Sequence, residues 1–68
     1  MEIFANRLKE LRLEHGLTQQ KIAELLGLRQ QSYARYECGS GEPSLRTLVE
    51  IAKLFGVSTD YLLGLTDY

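Results

Sequence analysis

The sequence predicts an all-α fold, five helices packed as one compact domain over residues 1–68. Three observations predict it. Apolar residues recur at spacings of three and four, and no stretch alternates as a half-buried strand does. Glycines punctuate the periodic segments, and Thr18, Ser44 and Ser58 stand where new segments open. The links are short, so consecutive helices must be neighbours in space.

The first helix is expected from about Glu2 to Glu14, with Phe4, Leu8 and Leu11 at i, i+4 and i+7. His15 falls in its last turn, and Gly16 stops it. The second opens at Thr18, an N-cap residue, and ends near Leu26; Gly27 is free to take positive φ. Its apolar face is read as Ile22, Leu25 and Leu26. The third runs from about Gln30 to Glu37, with Tyr33 and Tyr36 inward, and stops before Gly39. Residues 38–43, with two glycines and the one proline, form the loop-like stretch. The fourth helix starts after Ser44 and runs to about Phe55, presenting Leu45, Leu48, Val49, Ala52 and Phe55. The fifth is short: Ser58 caps it, Asp60 suits its first turn, and Tyr61, Leu62 and Leu63 lead to Gly64.

Length and composition narrow the function. A chain of 68 residues buries only roughly 60% of its unfolded surface, so it needs idealised packing. One cysteine, Cys38, excludes an internal disulfide and suits a reducing cytoplasm. No apolar run approaches the ~20 residues of a membrane span, and Met1-Glu2 opens no secretory signal. Cys38 is read as structural and His15 as a helix-end residue. No nucleophile pair, metal-ligand cluster or phosphate loop is present, so neither an enzyme, a cofactor nor a metal is expected. The net charge is −1, yet Lys21, Arg29 and Arg35 face only Glu24 within residues 18–36. The acids Glu2, Glu10, Glu14, Glu42, Glu50, Asp60 and Asp67 lie elsewhere, so a local positive face is compatible with a neutral domain.

Residues 18–39 carry the chemistry. Two short helices joined at Gly27, the second with Gln30, Gln31, Ala34 and Arg35 outward, read as a helix-turn-helix whose second helix meets DNA. A glutamine amide offers one donor and one acceptor, matching adenine N6 and N7. Arg35, one turn on, can address guanine O6 and N7 or a phosphate. Thr18 and Ser32 can hydrogen-bond phosphates, a role compatible with capping for Thr18, and Lys21 adds charge nearby. Arg29 supplies no capping acceptor to the third helix, and its charge sits at the positive end of the dipole, a cost that a DNA phosphate would offset.

These residues resemble the Xre/Cro-type helix-turn-helix family, which includes the lambdoid phage repressors and Cro proteins. The resemblance covers residues 7–63. Ala23 and Gly27 match the close helix approach and the turn, and Ile22, Leu26, Leu28, Tyr33 and Tyr36 match the buried positions. Outside the motif stand Arg-Leu-Lys-Glu-Leu-Arg at 7–12, Glu-x-Gly at 37–39, Pro-Ser-Leu-x-Thr-Leu at 43–48 and Tyr-Leu-Leu-Gly at 61–64. The resemblance implies a five-helix, lambda-repressor-like domain that lays its third helix in the major groove. It implies a transcriptional regulator, a repressor first, dimeric at least on DNA and bound to a palindromic operator.

It assigns residues too. Gln30 and Gln31 resemble the paired glutamines of phage repressors. Gln19 matches a glutamine that contacts a phosphate and buttresses the first glutamine of the third helix. Ser40, Gly41 and Arg46 match a loop region that touches the backbone, although here that loop carries Glu42 and no basic residue. Arg29 departs from the usual Ser or Thr. Arg12 and Glu37 match a partly buried ion pair tying the first helix to the end of the third. Tyr33 and Tyr36 replace aliphatic residues, and their hydroxyls are expected to emerge at the domain edge. Tyr61, Leu63, Leu65 and Tyr68 serve either a dimer contact or packing on the first helix. Two rival readings remain at this point: an antitoxin-like protein-interaction module, and the DNA-binding fragment of a longer regulator.

Overall fold

A computed structural model describes residues 2–68. Its helices are α1 (Glu2–Glu14), α2 (Gln19–Leu26), α3 (Gln30–Cys38), α4 (Leu45–Phe55) and α5 (Thr59–Leu63). Among the described residues there is no strand. Every expected helix is present, and α3 runs one residue further, through Cys38, before Gly39 turns the chain. Thr18, Ser44 and Ser58 each accept the N–H three residues on, at 3.0, 3.1 and 3.0 Å, so their cap roles are those read from the sequence.

The turn inside the motif follows from backbone chemistry. Gly27 takes φ +69°, and the N–H groups of Gly27 and Leu28 return to the carbonyls of Glu24 and Ala23 at 3.1 and 2.8 Å. That is the Schellman arrangement, which satisfies two orphan carbonyls of α2 and turns the chain abruptly into α3.

One core unites Phe4, Leu8 and Leu11 of α1, Ile22, Ala23 and Leu26 of α2, and Tyr33 of α3 with Leu48, Ile51, Ala52 and Phe55 of α4 and Leu62 of α5. Helix α1 packs on α3 and α5, α2 on α3 and α4, and α4 on α5. The two helices of the motif are thereby held from behind, α3 by α1 and α2 by α4.

Several residues lie elsewhere than the sequence pattern indicated. Leu25 is 51% exposed. The buried stripe of α2 is Ile22, Ala23 and Leu26, and at about 100° per residue Leu25 points roughly 110° from its centre. Val49 is 43% exposed and Leu45 82% exposed. Helix α4 buries Leu48, Ile51, Ala52 and Phe55, an i, i+3, i+4, i+7 stripe that rotates Val49 outward. Leu45 is the first residue of that helix and lies outside the packed layer. In α5 only Leu62 is fully buried, with Tyr61 and Leu63 half-buried against the core. Leu28 and Tyr36 are likewise half-buried. Cys38 is exposed rather than structural.

Of the C-terminal residues, Tyr61 and Leu63 pack against the core. Tyr61 packs on α1: the Arg7 guanidinium lies 4.3 Å from its ring centroid and donates to the carbonyls of Tyr61 and, at 2.7 Å, Thr66. Leu65 and Tyr68 stay exposed. Gly64 takes φ +82° and passes so close to Ile3 that a Cβ there would stand 2.8 Å from Ile3 Cγ2.

Candidate nucleic-acid interface

Helix α3 carries opposite chemistries on its two faces. Inward, Tyr33 is fully buried, and its ring meets that of Tyr36 edge-on at 6.1 Å. Outward, Gln30, Gln31, Ser32 and Arg35 are all exposed, with Ala34 half-buried among them. Nothing in the fold occupies the amides of the glutamines or the guanidinium of Arg35 among the described residues, so their donors and acceptors face solvent. Thr18 and Lys21 are exposed at the N-terminal turn of α2. The Thr18 oxygen accepts the Lys21 N–H, which leaves its own O–H free to donate.

Arg29 occupies the N-cap position of α3 with φ −74° and ψ 146° and makes no side-chain cap bond. The first-turn N–H groups of α3 therefore lack a side-chain acceptor beside an exposed guanidinium. Ser40 is exposed, and its N–H donates to the Arg35 carbonyl at 3.1 Å, as the Gly41 N–H does at 3.2 Å. The loop after α3 is thus anchored on the backbone of Arg35. Arg46 is exposed in the first turn of α4, and among the described residues it makes no hydrogen bond or ion pair with α2 or α3.

Behind this surface sits a buried polar cluster. Arg12 Nε and Nη2 donate to the two oxygens of Glu37 at 2.6 and 3.1 Å, a bidentate pair whose side chains are 11% and 3% exposed. Arg12 Nη1 also donates to the Leu17 carbonyl at 2.9 Å. Gln19 Nε2 donates to Glu37 at 3.1 Å, and the Tyr33 hydroxyl donates to it at 2.5 Å. One carboxylate therefore joins α1, the start of α2 and a turn of α3, and Arg12 extends the cluster to the α1–α2 link.

The Tyr33 hydroxyl is not at the domain edge. A glutamate one turn on, at i+4, gave it an acceptor inside the fold, so the whole side chain could be buried. That spacing was present in the sequence as a signal for this bond. Gln19, for its part, bonds Glu37 in the free protein.

Charge in the cluster is locked. The hydrogen bond to Glu37 raises Arg12 above its ordinary value despite opposing burial. Burial, and then the bond to Glu37, push the Tyr33 phenol far up, so it stays a donor. Burial would raise Glu37, but the bonds from Arg12, Tyr33 and Gln19 outweigh it and hold the carboxyl below its usual range.

A family model described as helix-turn-helix matches residues 8–62. The chain belongs to the helix-turn-helix family. It is 46% identical over 61 residues to the SPbeta prophage-derived uncharacterized HTH-type transcriptional regulator YonR of Bacillus subtilis, covering 90% of this chain and 56% of that relative. It is 34% identical over 55 residues to the cryptic phage CTXphi transcriptional repressor RstR of Vibrio cholerae, covering 81% of this chain and 50% of the relative. A transcriptional regulator from Listeria innocua has a crystal structure that superposes with a TM-score of 0.85 at 39% identity, over 90% of this chain and 57% of that one. The chain spans about half the length of these relatives. Among the described residues, no helix is long and apolar enough to cross a membrane.

Proposed function

We propose that this helix-turn-helix chain binds specific duplex DNA sequences as a transcriptional regulator, a repressor first, with α3 in the major groove. One observation carries the reading: Gln30, Gln31, Ser32 and Arg35 stand exposed on the outer face of a helix whose inner face is anchored by a fully buried Tyr33. Free amide and guanidinium edges on a rigid helix are what base-edge recognition requires. The relatives named as transcriptional regulators and repressors support it.

In this reading Gln30 and Gln31 address adenine edges, and Arg35 a guanine or a phosphate. Thr18, Gln19, Lys21, Arg29, Ser32, Ser40 and Arg46 approach the sugar-phosphate backbone, with the uncapped start of α3 adding its N–H groups. The protein acts by binding rather than by catalysis, where the DNA is, in the cytoplasm. It acts as a homodimer on a palindromic operator, since a two-fold protein reads a two-fold site.

Selection of bound duplexes from a random pool, at about 100 mM salt, tests this. The wild type is expected to enrich a palindromic motif, and the Gln30→Ala/Gln31→Ala variant to blur it. Weak, salt-sensitive binding with no enriched motif would refute the reading.

A further inference from the structure

The oxygens of Glu37 accept four donors, two each. Oε2 takes Arg12 Nε and the Tyr33 hydroxyl; Oε1 takes Arg12 Nη2 and Gln19 Nε2. An ionised carboxylate accepts and never donates. The amide of Gln19 therefore has one permitted orientation, because the flipped amide would set its carbonyl oxygen against Oε1. The side chains of Arg12, Glu37 and Tyr33 are buried, whereas Gln19 is half-buried and opens α2 between the exposed residues Thr18 and Gln20. It is the member of the cluster at the surface.

We propose that Glu37, seated by the Tyr33 hydroxyl, is a positioning residue for DNA binding that acts through Gln19. It holds the Gln19 nitrogen inward, with one N–H on the carboxylate, and leaves the second N–H for a backbone phosphate. A single amide nitrogen then links the buried carboxylate at the end of the reading helix to the DNA backbone at the start of α2. This inference rests on the DNA-binding reading above.

Tyr33 matters because it adds to the bidentate hold of Arg12 in setting which way the carboxylate faces. With Arg12 Nε it brackets Oε2 at 2.5 and 2.6 Å, which leaves Oε1 directed at Gln19. Without the phenol, Oε2 keeps one donor in a dry site and the carboxylate turns to recover another. The bond to Gln19, 3.1 Å long and made by the one half-buried neutral donor, is the one such a turn breaks. Tyr33 and Glu37 point away from the reading face, so neither touches DNA itself.

Two measurements on the intact chain test this. In the free protein, the side-chain amide resonances of Gln19 are compared with those of exposed Gln20. One Gln19 proton is expected to be protected from exchange in the wild type and to lose that protection in Tyr33→Phe. An unchanged Gln19 signal in Tyr33→Phe overturns the proposal. On the duplex selected by the wild type, Tyr33→Phe and Gln19→Met are each expected to weaken binding about fivefold. The double variant is expected to be no weaker than Gln19→Met alone, since both remove the same contact. Factors that multiply in the double variant overturn the proposal, even where each variant alone binds less well. Gln19→Met leaves Arg12, Tyr33 and Glu37 in place, so it reports on the contact even where Tyr33→Phe is too unstable to assay; full affinity in that variant overturns the proposal too. A wild type that selects no duplex removes the DNA reading and this role with it. A wild type that selects one, with multiplying factors, removes this role alone.

Discussion

Replacing Arg12 with methionine isolates the cost of a stranded charge. The guanidinium makes three hydrogen bonds, two to Glu37 and one to the Leu17 carbonyl, and the Glu37 side chain is only 3% exposed. Methionine fills much of the volume and supplies no donor. Glu37 then keeps the Tyr33 hydroxyl and Gln19, both neutral. Breaking one side of such a buried pair costs about 3–5 kcal/mol. A domain of this size has a total stability of roughly 3–10 kcal/mol, so the variant is expected to lose most of it. At about 4–8 °C per kcal/mol, Tm at pH 7 should fall by well over 10 °C.

The pH dependence has a definite sign. In the wild type the Glu37 carboxyl lies below its usual range when folded, so its contribution is present above the unfolded carboxylate range, about 4.3, and disappears as pH falls through the folded value. In Arg12→Met burial dominates and the carboxyl rises. A raised carboxyl favours the folded state as pH falls, so the gap in Tm between the proteins should narrow from pH 7 to pH 4. The double variant Arg12→Met/Glu37→Met removes both charges and should recover part of the loss, the remainder being the cost of a buried Tyr33 hydroxyl left without its acceptor. Thermal melts followed by circular dichroism at both pH values provide the assay. A single variant melting within about 2 °C of wild type at pH 7, a shift worth under 1 kcal/mol, would refute the argument that this pair is buried and coupled.

Three further outcomes are expected. Arg29→Ser should gain about 1 kcal/mol of stability by capping α3, yet bind DNA less tightly and with a salt slope shallower by about 1; equal or tighter binding would show that Arg29 meets no phosphate. Gln30→Ala and Gln31→Ala should each lose about 1–3 kcal/mol of discrimination at one base position while Tm stays within about 2 °C of wild type, read by competition between the selected duplex and single-base variants. Gly64→Ala should destabilise more than Gly27→Ala. Both force alanine into positive φ, at about 1–2 kcal/mol, but a Cβ at Gly27 meets open space and one at Gly64 stands 2.8 Å from Ile3 Cγ2. Adding Ile3→Ala should relieve the difference, and equal melting temperatures for the two glycine variants would contradict the packing.

Local chemistry explains why so much was legible in advance. Helix boundaries depend on caps and breakers a few residues apart, and Thr18, Ser44, Ser58, Gly27 and Gly56 act locally whatever the rest of the chain does. The exposure of Gln30, Gln31 and Arg35 followed from the period of α3 alone. Leu25, Leu45 and Val49 lie off the buried stripes, and residue order does not exclude them because an apolar residue on a short helix is consistent with more than one stripe. Which stripe is buried depends on the neighbour it packs against.

Five helices, a Gly27 turn, an uncapped α3 and a polar outer face on that helix are legible in residue order, because each depends on contacts within a turn or two. The burial of the Tyr33 hydroxyl, the tie from Arg7 to the C-terminal residues and the gathering of Arg12, Gln19 and Tyr33 on one carboxylate arise from the packing of the helices. Residues 12, 19, 33 and 37 lie on three helices. Their meeting is set by how those helices cross, and the desolvation that makes it matter exists only once the core has closed.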